Sequence, residues 1–367
     1  MKALFAVKAI MAMAVGTVCV LMAGCGAGSI PSLASGTVSA SQNPLVAIYT
    51  LRESCPGQAM VEFGETTNYG RNTAWYPANG YQTTAIEVAG MKASTTYHMH
   101  AQVQCANGTL TTPDTTFTTG PLPSSLLLPG ITVTRPNPSL SSTENPGIEM
   151  LTITYQGFPA FFTDRDGNVI WYYNVGTRMF PFAFKFLPNG NIVLCIAPGV
   201  DSSASVIREI DLAGNTIQQV DIPTLQEEMA AAGFDFVPVA FHHDLLPLAN
   251  GHVLAIVNST KNFTNLPGYP GTIQVLGDGI VDLDQNLNPV WAWNGFDWLD
   301  IKRHLLGLPD WTHSNALLYS PDDGNLLLSI RHQSWVIKID YNNGTGAGDI
   351  LWRLGYQGNF ALTVNGV

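Results

Sequence analysis

An all-β fold is what this 367-residue sequence predicts, and three observations carry the prediction. The first is strict alternation over 97–105, where Tyr97, Met99, Ala101, Val103 and Cys105 face one way and His98, His100, Gln102 and Gln104 the other, as in a half-buried strand. The second is a recurring turn: Leu187-Pro188-Asn189-Gly190-Asn191, Leu248-Ala249-Asn250-Gly251-His252 and Pro321-Asp322-Asp323-Gly324-Asn325, each followed by an apolar run. The third is a second pattern interleaved with it over 164–173, 211–220, 282–293 and 340–352, anchored on Asp211, Asp282 and Asp340. Two hairpins recurring every 60 to 70 residues or so suit the four-stranded blades of a β-propeller better than a helical solenoid, and roughly four such blades fit between Gly147 and Gly355.

Composition agrees with an ordered chain. It is 46% hydrophobic and only 12% charged, an ordered, β-leaning composition for which disorder is not the default, and its length leaves room for two domains. A formal charge of −11 argues against a nucleic-acid surface, so an anionic substrate would need a locally basic pocket.

Taken in order, residues 1–24 read as a secretory leader. Lys2 and Lys8 precede an apolar stretch too short and wrongly flanked to span a membrane. The leader ends in Leu21-Met22-Ala23-Gly24-Cys25, which resembles a bacterial lipobox with its leucine one place early. Cys25 is therefore the expected lipidation site, and the chain an exported lipoprotein facing the periplasm or cell exterior. Residues 25–43 form a linker.

Residues 44–120 hold short strands separated by turns and are similar to an immunoglobulin or fibronectin type III sandwich. In an oxidising compartment Cys55 and Cys105 are candidates to pair. His98 and His100 share a face without a third ligand and read as solvated. Residues 121–146 are a proline-rich linker, and 147–367 carry the propeller pattern. Trp171, Trp291 and Trp352 read as packing between blades. Two insertions read as helices that roof the site: 224–233, with a Thr224-x-x-Glu227 capping box, and 297–307, with Asp297 at its start and Gly307 at its end.

The densest stretch is 310–334, DWTHSNALLYSPDDGNLLLSIRHQS. Apolar runs 316–319 and 326–330 flank a D-G turn and predict a hairpin, so that 312–315 and 331–334 meet at its open end. Strand alternation would turn His332 away from Arg331. His252 and His304 lack distinctive context. The turn at Asp164 lacks the terminal acid of a calcium loop, and the sequence has no P-loop, G-x-S-x-G, H-E-x-x-H or C-x-x-C motif.

Phe241-His242-His243-Asp244, the Asp310–Asn315 run, Ser329-Ile330-Arg331-His332-Gln333 and Trp352-Arg353-Leu354-Gly355-Tyr356 together resemble the bacterial arylsulfotransferase (aryl-sulfate sulfotransferase) family. The resemblance implies a six-bladed propeller behind a small β domain. It also implies transfer of a sulfuryl group from an aryl sulfate ester to a phenol, without a nucleotide donor and through a sulfated histidine with ping-pong kinetics. His313 and Asn315 match the family's Thr-His-x-Asn positions and Arg331 its arginine, groups that hold sulfate oxygens. One of His242 and His243 matches a histidine from an earlier blade. Levelling Asp244 with Asn315 puts His242 level with His313. The chemistry requires no metal or cofactor, and a homodimer is consistent with the resemblance.

The family's nucleophile sits in a later Gln-His motif, and no Gln-His pair occurs up to Val367. The expectation is therefore an N-terminal portion of a longer protein, inactive or weak by itself unless His242, His243 or His332 has taken over as nucleophile. The competing expectation is a non-catalytic, surface-anchored propeller that binds anionic or aromatic ligands or a protein partner.

Overall fold

The computed structural model describes residues 35–134, 147–199, 201–361 and 363. The expected leader and its Cys25 lie outside the described residues, as does the 135–146 part of the proline-rich linker. Among the described residues strands dominate, every paired strand is antiparallel, and no helix is long and apolar enough to cross a membrane.

Nine strands come first: β1 (Ser35–Ala40), β2 (Ala47–Arg52), β3 (Pro56–Gly64), β4 (Arg71–Asn72), β5 (Tyr76–Asn79), β6 (Thr83–Val88), β7 (Thr96–Cys105), β8 (Gly108–Thr111) and β9 (Thr115–Thr118). They form one sheet in the order β1-β2-β6 and a second built on β3 and β7, with a shared core that includes Tyr49, Leu51, Val61, Phe63, Ile86, Tyr97 and Met99. The alternation read from 97–105 is that of β7, whose Tyr97, Met99, Ala101 and Val103 are buried while His98 and His100 face outward. Each of these histidines meets a carboxylate, His98 Nδ1 lying 2.8 Å from Asp114 and His100 Nε2 2.7 Å from Glu62. A disulfide joins Cys55 to Cys105 at the edge of this core, with a Cα–Cα distance of 5.9 Å.

The described residues belong to one unit, and two polar side chains show how the early sheets are tied to the later ones. Asn43 donates from Nδ2 to the Tyr172 carbonyl at 2.9 Å. The Glu87 carboxylate accepts the backbone N–H groups of Leu212 and Ala213, each at 3.0 Å. Leu45 and Val46 add apolar contact at the same seam by packing into the clusters around Phe161 and Trp171.

The remaining strands fall into four sheets that run up and down in chain order. A three-stranded sheet holds β10 (Glu149–Leu151), β11 (Ala160–Thr163) and β12 (Val169–Tyr173). Three four-stranded sheets follow. The first holds β13 (Phe180–Phe186), β14 (Ile192–Ala197), β15 (Val206–Ile210) and β16 (Thr216–Asp221). The next holds β17 (Pro238–Pro247), β18 (Val253–Leu266), β19 (Tyr269–Leu283) and β20 (Pro289–Asn294), and the last β21 (Ser314–Ser320), β22 (Asn325–Ile330), β23 (Trp335–Ile339) and β24 (Ile350–Gly355). The first strands of successive four-stranded sheets pack against one another, β13 on β17 and β17 on β21.

The repeated turns have a local cause. Asp164 accepts from Asp166 N and Asn168 N through Oδ1, at 3.0 and 2.9 Å, and from the Asn168 amide through Oδ2 at 2.9 Å. Asp211 binds Asn215 in the same way at 2.7 Å. In the third copy the capping residue is Asp284, which binds Asn286 and Asn288, and not Asp282 as the sequence spacing suggested. Asp282 lies in the strand before it, buried against Tyr341 and His252. Two of the three tryptophans link sheets: Trp171 donates to the Leu212 carbonyl at 2.8 Å and Trp291 to that of Gly346 at 2.9 Å, while the Trp352 ring meets Phe360.

Both helical expectations need correction. Helix α1 (Ile222–Ala232) starts before Thr224, because Asp221 caps it by accepting from Thr224 N at 2.9 Å and Pro223 suits the first turn; Gly233, at φ 82°, ends it. It buries Leu225 and Met229 among Phe241 and Leu245, so it packs on the core. The 297–307 segment yields only a single turn, α2 (Gly295–Trp298), capped by Asn294; the rest is irregular.

Candidate functional site

Two irregular first strands make the site. On β17, Phe241 pairs with Val257 and Leu245 with Ala255, so His242, His243 and Asp244 together oppose Ile256 alone. A bulge of this kind bends the strand and re-aims its side chains. His243 takes φ 54° there, a left-handed conformation that a non-glycine residue adopts only when its surroundings hold it. Asp244 braces the bulge: its Oδ1 accepts from Leu245 N at 3.0 Å and its Oδ2 from Leu317 N of β21 at 3.1 Å. On β21, Ser314 pairs with Ile330 and Ala316 with Ser329, leaving Asn315 as the extra residue, and His313, immediately before the strand, takes φ 51°.

The 310–334 hairpin brings its ends together as the sequence led us to expect. Arg331 N donates to the His313 carbonyl at 3.3 Å and His332 N to that of Thr312 at 2.9 Å. Fully buried Trp311 anchors the first end, stacked on Phe296 with its indole N–H donated to the Arg303 carbonyl at 2.8 Å. Arg303 in turn holds the second end, donating from Nη2 to the Gln333 carbonyl at 2.8 Å and stacking over Trp335 at 4.0 Å.

The result is a row of imidazoles. The His313 ring lies 5.0 Å from that of His243 and 4.8 Å from that of His332, the latter nearly parallel. His313 Nδ1 is 2.5 Å from Asp310 Oδ2, and Arg331 Nη1 donates to His313 Nε2 at 3.3 Å. Behind the row, His242 is 2% exposed, with Nδ1 2.8 Å from His243 Nδ1 and Nε2 3.3 Å from Asp278 Oδ1. Burial above all pushes the His243 imidazole down to about 4, which leaves it neutral at pH 7. On its other side stands Phe182 of β13, its ring 5.8 Å from that of His243.

A family model described as Arylsulfotransferase (ASST) matches residues 137–366, more than half of the chain. The chain belongs to the arylsulfotransferase family. No curated protein matches it.

Within this family member, the expected residues fall into three groups. His243, His313 and Arg331 share the mouth. His242, which levelling the blades had set beside His313, is instead the buried support of His243, because the bulge turns the two neighbouring rings at 88° to each other. Asn315, the extra residue of the β21 bulge, is exposed, and no contact among the described residues ties it to these rings.

His332 reverses its expected orientation. Residues Arg331–Gln333 form a 3-10 turn, so strand alternation has already stopped and His332 folds back onto His313, donating from Nδ1 to the Asp310 carbonyl at 2.8 Å. Asp310, His313 and His332 thus set a carboxylate and two ring nitrogens within 4.8 Å of one another, donor types that a transition metal accepts. Both Nδ1 atoms are already committed to Asp310 and a guanidinium adjoins His313, so the set is satisfied as a hydrogen-bonded cluster. Asp310 and Asp278 were not singled out from sequence. The signals were there: Asp310 lies three residues before His313, and Asp278 is an acid between Gly277 and Gly279 in an otherwise apolar run.

Proposed function

We propose that this arylsulfotransferase-family chain binds the sulfuryl group of an aryl sulfate ester at the Arg331–His313 pair and takes part in its transfer to a phenol. The observation that carries the reading is Arg331, which has no carboxylate partner among the described residues and stands within 3.3 Å of an imidazole in a chain of net charge −11. Sulfuryl transfer, by analogy with phosphoryl transfer, passes through a loose transition state in which the protein positions the group and neutralises its equatorial oxygens. Arg331 offers a fixed fork of donors and Asn315 a neutral one. His313 faces Arg331 through Nε2, which becomes a further donor when the ring is cationic. The flanking rings of His243 and Phe182 suit a planar aromatic partner.

The same reading takes the four-stranded sheets as propeller blades, since their first strands pack in succession as they do around a propeller axis. It takes the transferred group to pass through a sulfohistidine, and the chain to be exported and held to a membrane through Cys25. The Cys55–Cys105 disulfide supports an oxidising compartment.

The test is binding of a chromogenic aryl sulfate to the purified chain, followed by phenol release with and without an acceptor phenol, in wild type and Arg331→Ala. Saturable binding that weakens at least about tenfold in the variant, the scale of a charge-assisted pair, supports the reading. Equal binding by the two proteins overturns it. Binding that is lost in the variant, without turnover in the wild type, leaves a non-catalytic anion binder.

A further inference from the structure

We infer that Asp278 and His242 are positioning residues that keep the proton of His243 on Nδ1, so that its Nε2 is the base receiving the proton of the acceptor phenol. The base role rests on the sulfuryl-transfer reading above; the tautomer does not.

The argument starts at Asp278, 2% exposed on β19. Its Oδ1 accepts from the Asn258 amide at 2.9 Å and its Oδ2 from Ser314 N at 2.5 Å. Burial alone would raise this carboxyl, but the nearby His242 imidazole and the bond from Ser314 N outweigh it and hold the group below the usual carboxylate range. An ionised oxygen therefore lies 3.3 Å from His242 Nε2 in the protein interior. The contact is not aligned well enough to count as a hydrogen bond, but a bare Nε2 so close to an ionised oxygen would be repelled with no water to screen it, so Nε2 carries a proton.

A neutral imidazole has one N–H. With its proton on Nε2, His242 presents a bare Nδ1 to His243 Nδ1 at 2.8 Å, and His243 must supply the proton of that bond. His243 is then left with an unprotonated Nε2, which has no protein partner among the described residues. Its ring stands 5.0 Å from that of His313, whose Nε2 accepts from Arg331. A phenol approaching sulfur held there gives its O–H proton to His243 Nε2 as the new O–S bond forms. The sulfur–nitrogen bond of the sulfohistidine breaks, with its electron pair returning to that imidazole. The His243 imidazolium gives its proton to the donor phenolate that departs in the next half-reaction, so no outside reagent is consumed. A doubly protonated His242 would reverse every step: it would donate to His243 Nδ1 and force the His243 proton onto Nε2, making that nitrogen a donor.

The two cases are separated by long-range proton–nitrogen NMR on the whole chain labelled with ¹⁵N-histidine at pH 7, the signals assigned by their loss in His242→Gln and His243→Gln. Protonated Nδ1 and bare Nε2 at His243, with protonated Nε2 at His242, is the expected result. A protonated Nε2 at His243 overturns the inference. The wild-type spectrum alone decides this, so it stands even if Asp278→Asn does not fold. If that variant folds, the His243 population should shift toward protonated Nε2. With an acceptor phenol, kcat should fall by about tenfold or more, at the low end of general-base contributions, while KM for the donor stays within about twofold. Unchanged tautomers with kcat and KM lost together would make Asp278 merely structural. The expected tautomer without any binding of aryl sulfate would overturn the substrate reading and leave the relay intact.

Discussion

Nδ1 of His313 lies 2.5 Å from Oδ2 of Asp310, three residues earlier in the chain. The carboxylate fixes which ring nitrogen faces inward and so presents Nε2 to Arg331. Asp310→Asn keeps the shape but gives up the charged acceptor, and its amide can present N–H groups that favour a flipped ring. The expected outcome is sulfate binding weakened about tenfold with the fold retained, read by titration calorimetry alongside circular dichroism. Wild-type affinity in the variant would show that Asp310 does not orient the ring.

His243 gives a pH prediction. Its imidazole ordinarily titrates at 6.5, and burial beside His242 and His313 pushes it down to about 4. Between those values the unfolded chain takes up a proton that the folded chain refuses, so stability declines as pH falls from 6.5 to about 4 and has no further contribution from this residue below that. His243→Gln removes the effect. Thermal midpoints across this window should drop more steeply for wild type than for the variant; parallel curves would mean that the ring is not shielded.

Arg303 supports the site without belonging to it. Its Nη2 donates to the Gln333 and Tyr356 carbonyls at 2.8 and 2.9 Å while the guanidinium covers Trp335. Lysine has neither the planar fork nor the stacking face, so Arg303→Lys should be as damaging as Arg303→Ala, each costing about 1–3 kcal/mol. Denaturant unfolding measures this, and rescue by lysine would show that charge alone matters there.

The Cys55–Cys105 bridge closes a loop across a sequence separation of 50 in the first, smaller core. Reduction should destabilise that core by roughly 2–4 kcal/mol. Proteolysis with and without reductant should locate new cleavage within residues 44–120. A cleavage pattern that does not change would show that the core holds without its bridge.

The sequence by itself determined the hairpins and the family. Alternation in β7, the recurring turns and the D-G hairpin of β21 and β22 are local: each depends on residues within a few positions of one another, whose geometry the backbone dictates. For the same reason His313 and Arg331 were legible as neighbours, since an antiparallel hairpin must bring its open ends together.

Tertiary structure decided which ring faces where. His242 and His243 are adjacent and alike, and only the bulge against β18 buries one and presents the other. His332 escaped the alternation rule because the ladder ends at Ile330 and a 3-10 turn begins. Asp278 reaches His242 from another strand, 36 residues away in sequence. A period-2 pattern holds only while the ladder that enforces it continues. The site lies where that ladder breaks, and there contacts distant in the chain decide the orientation of each group.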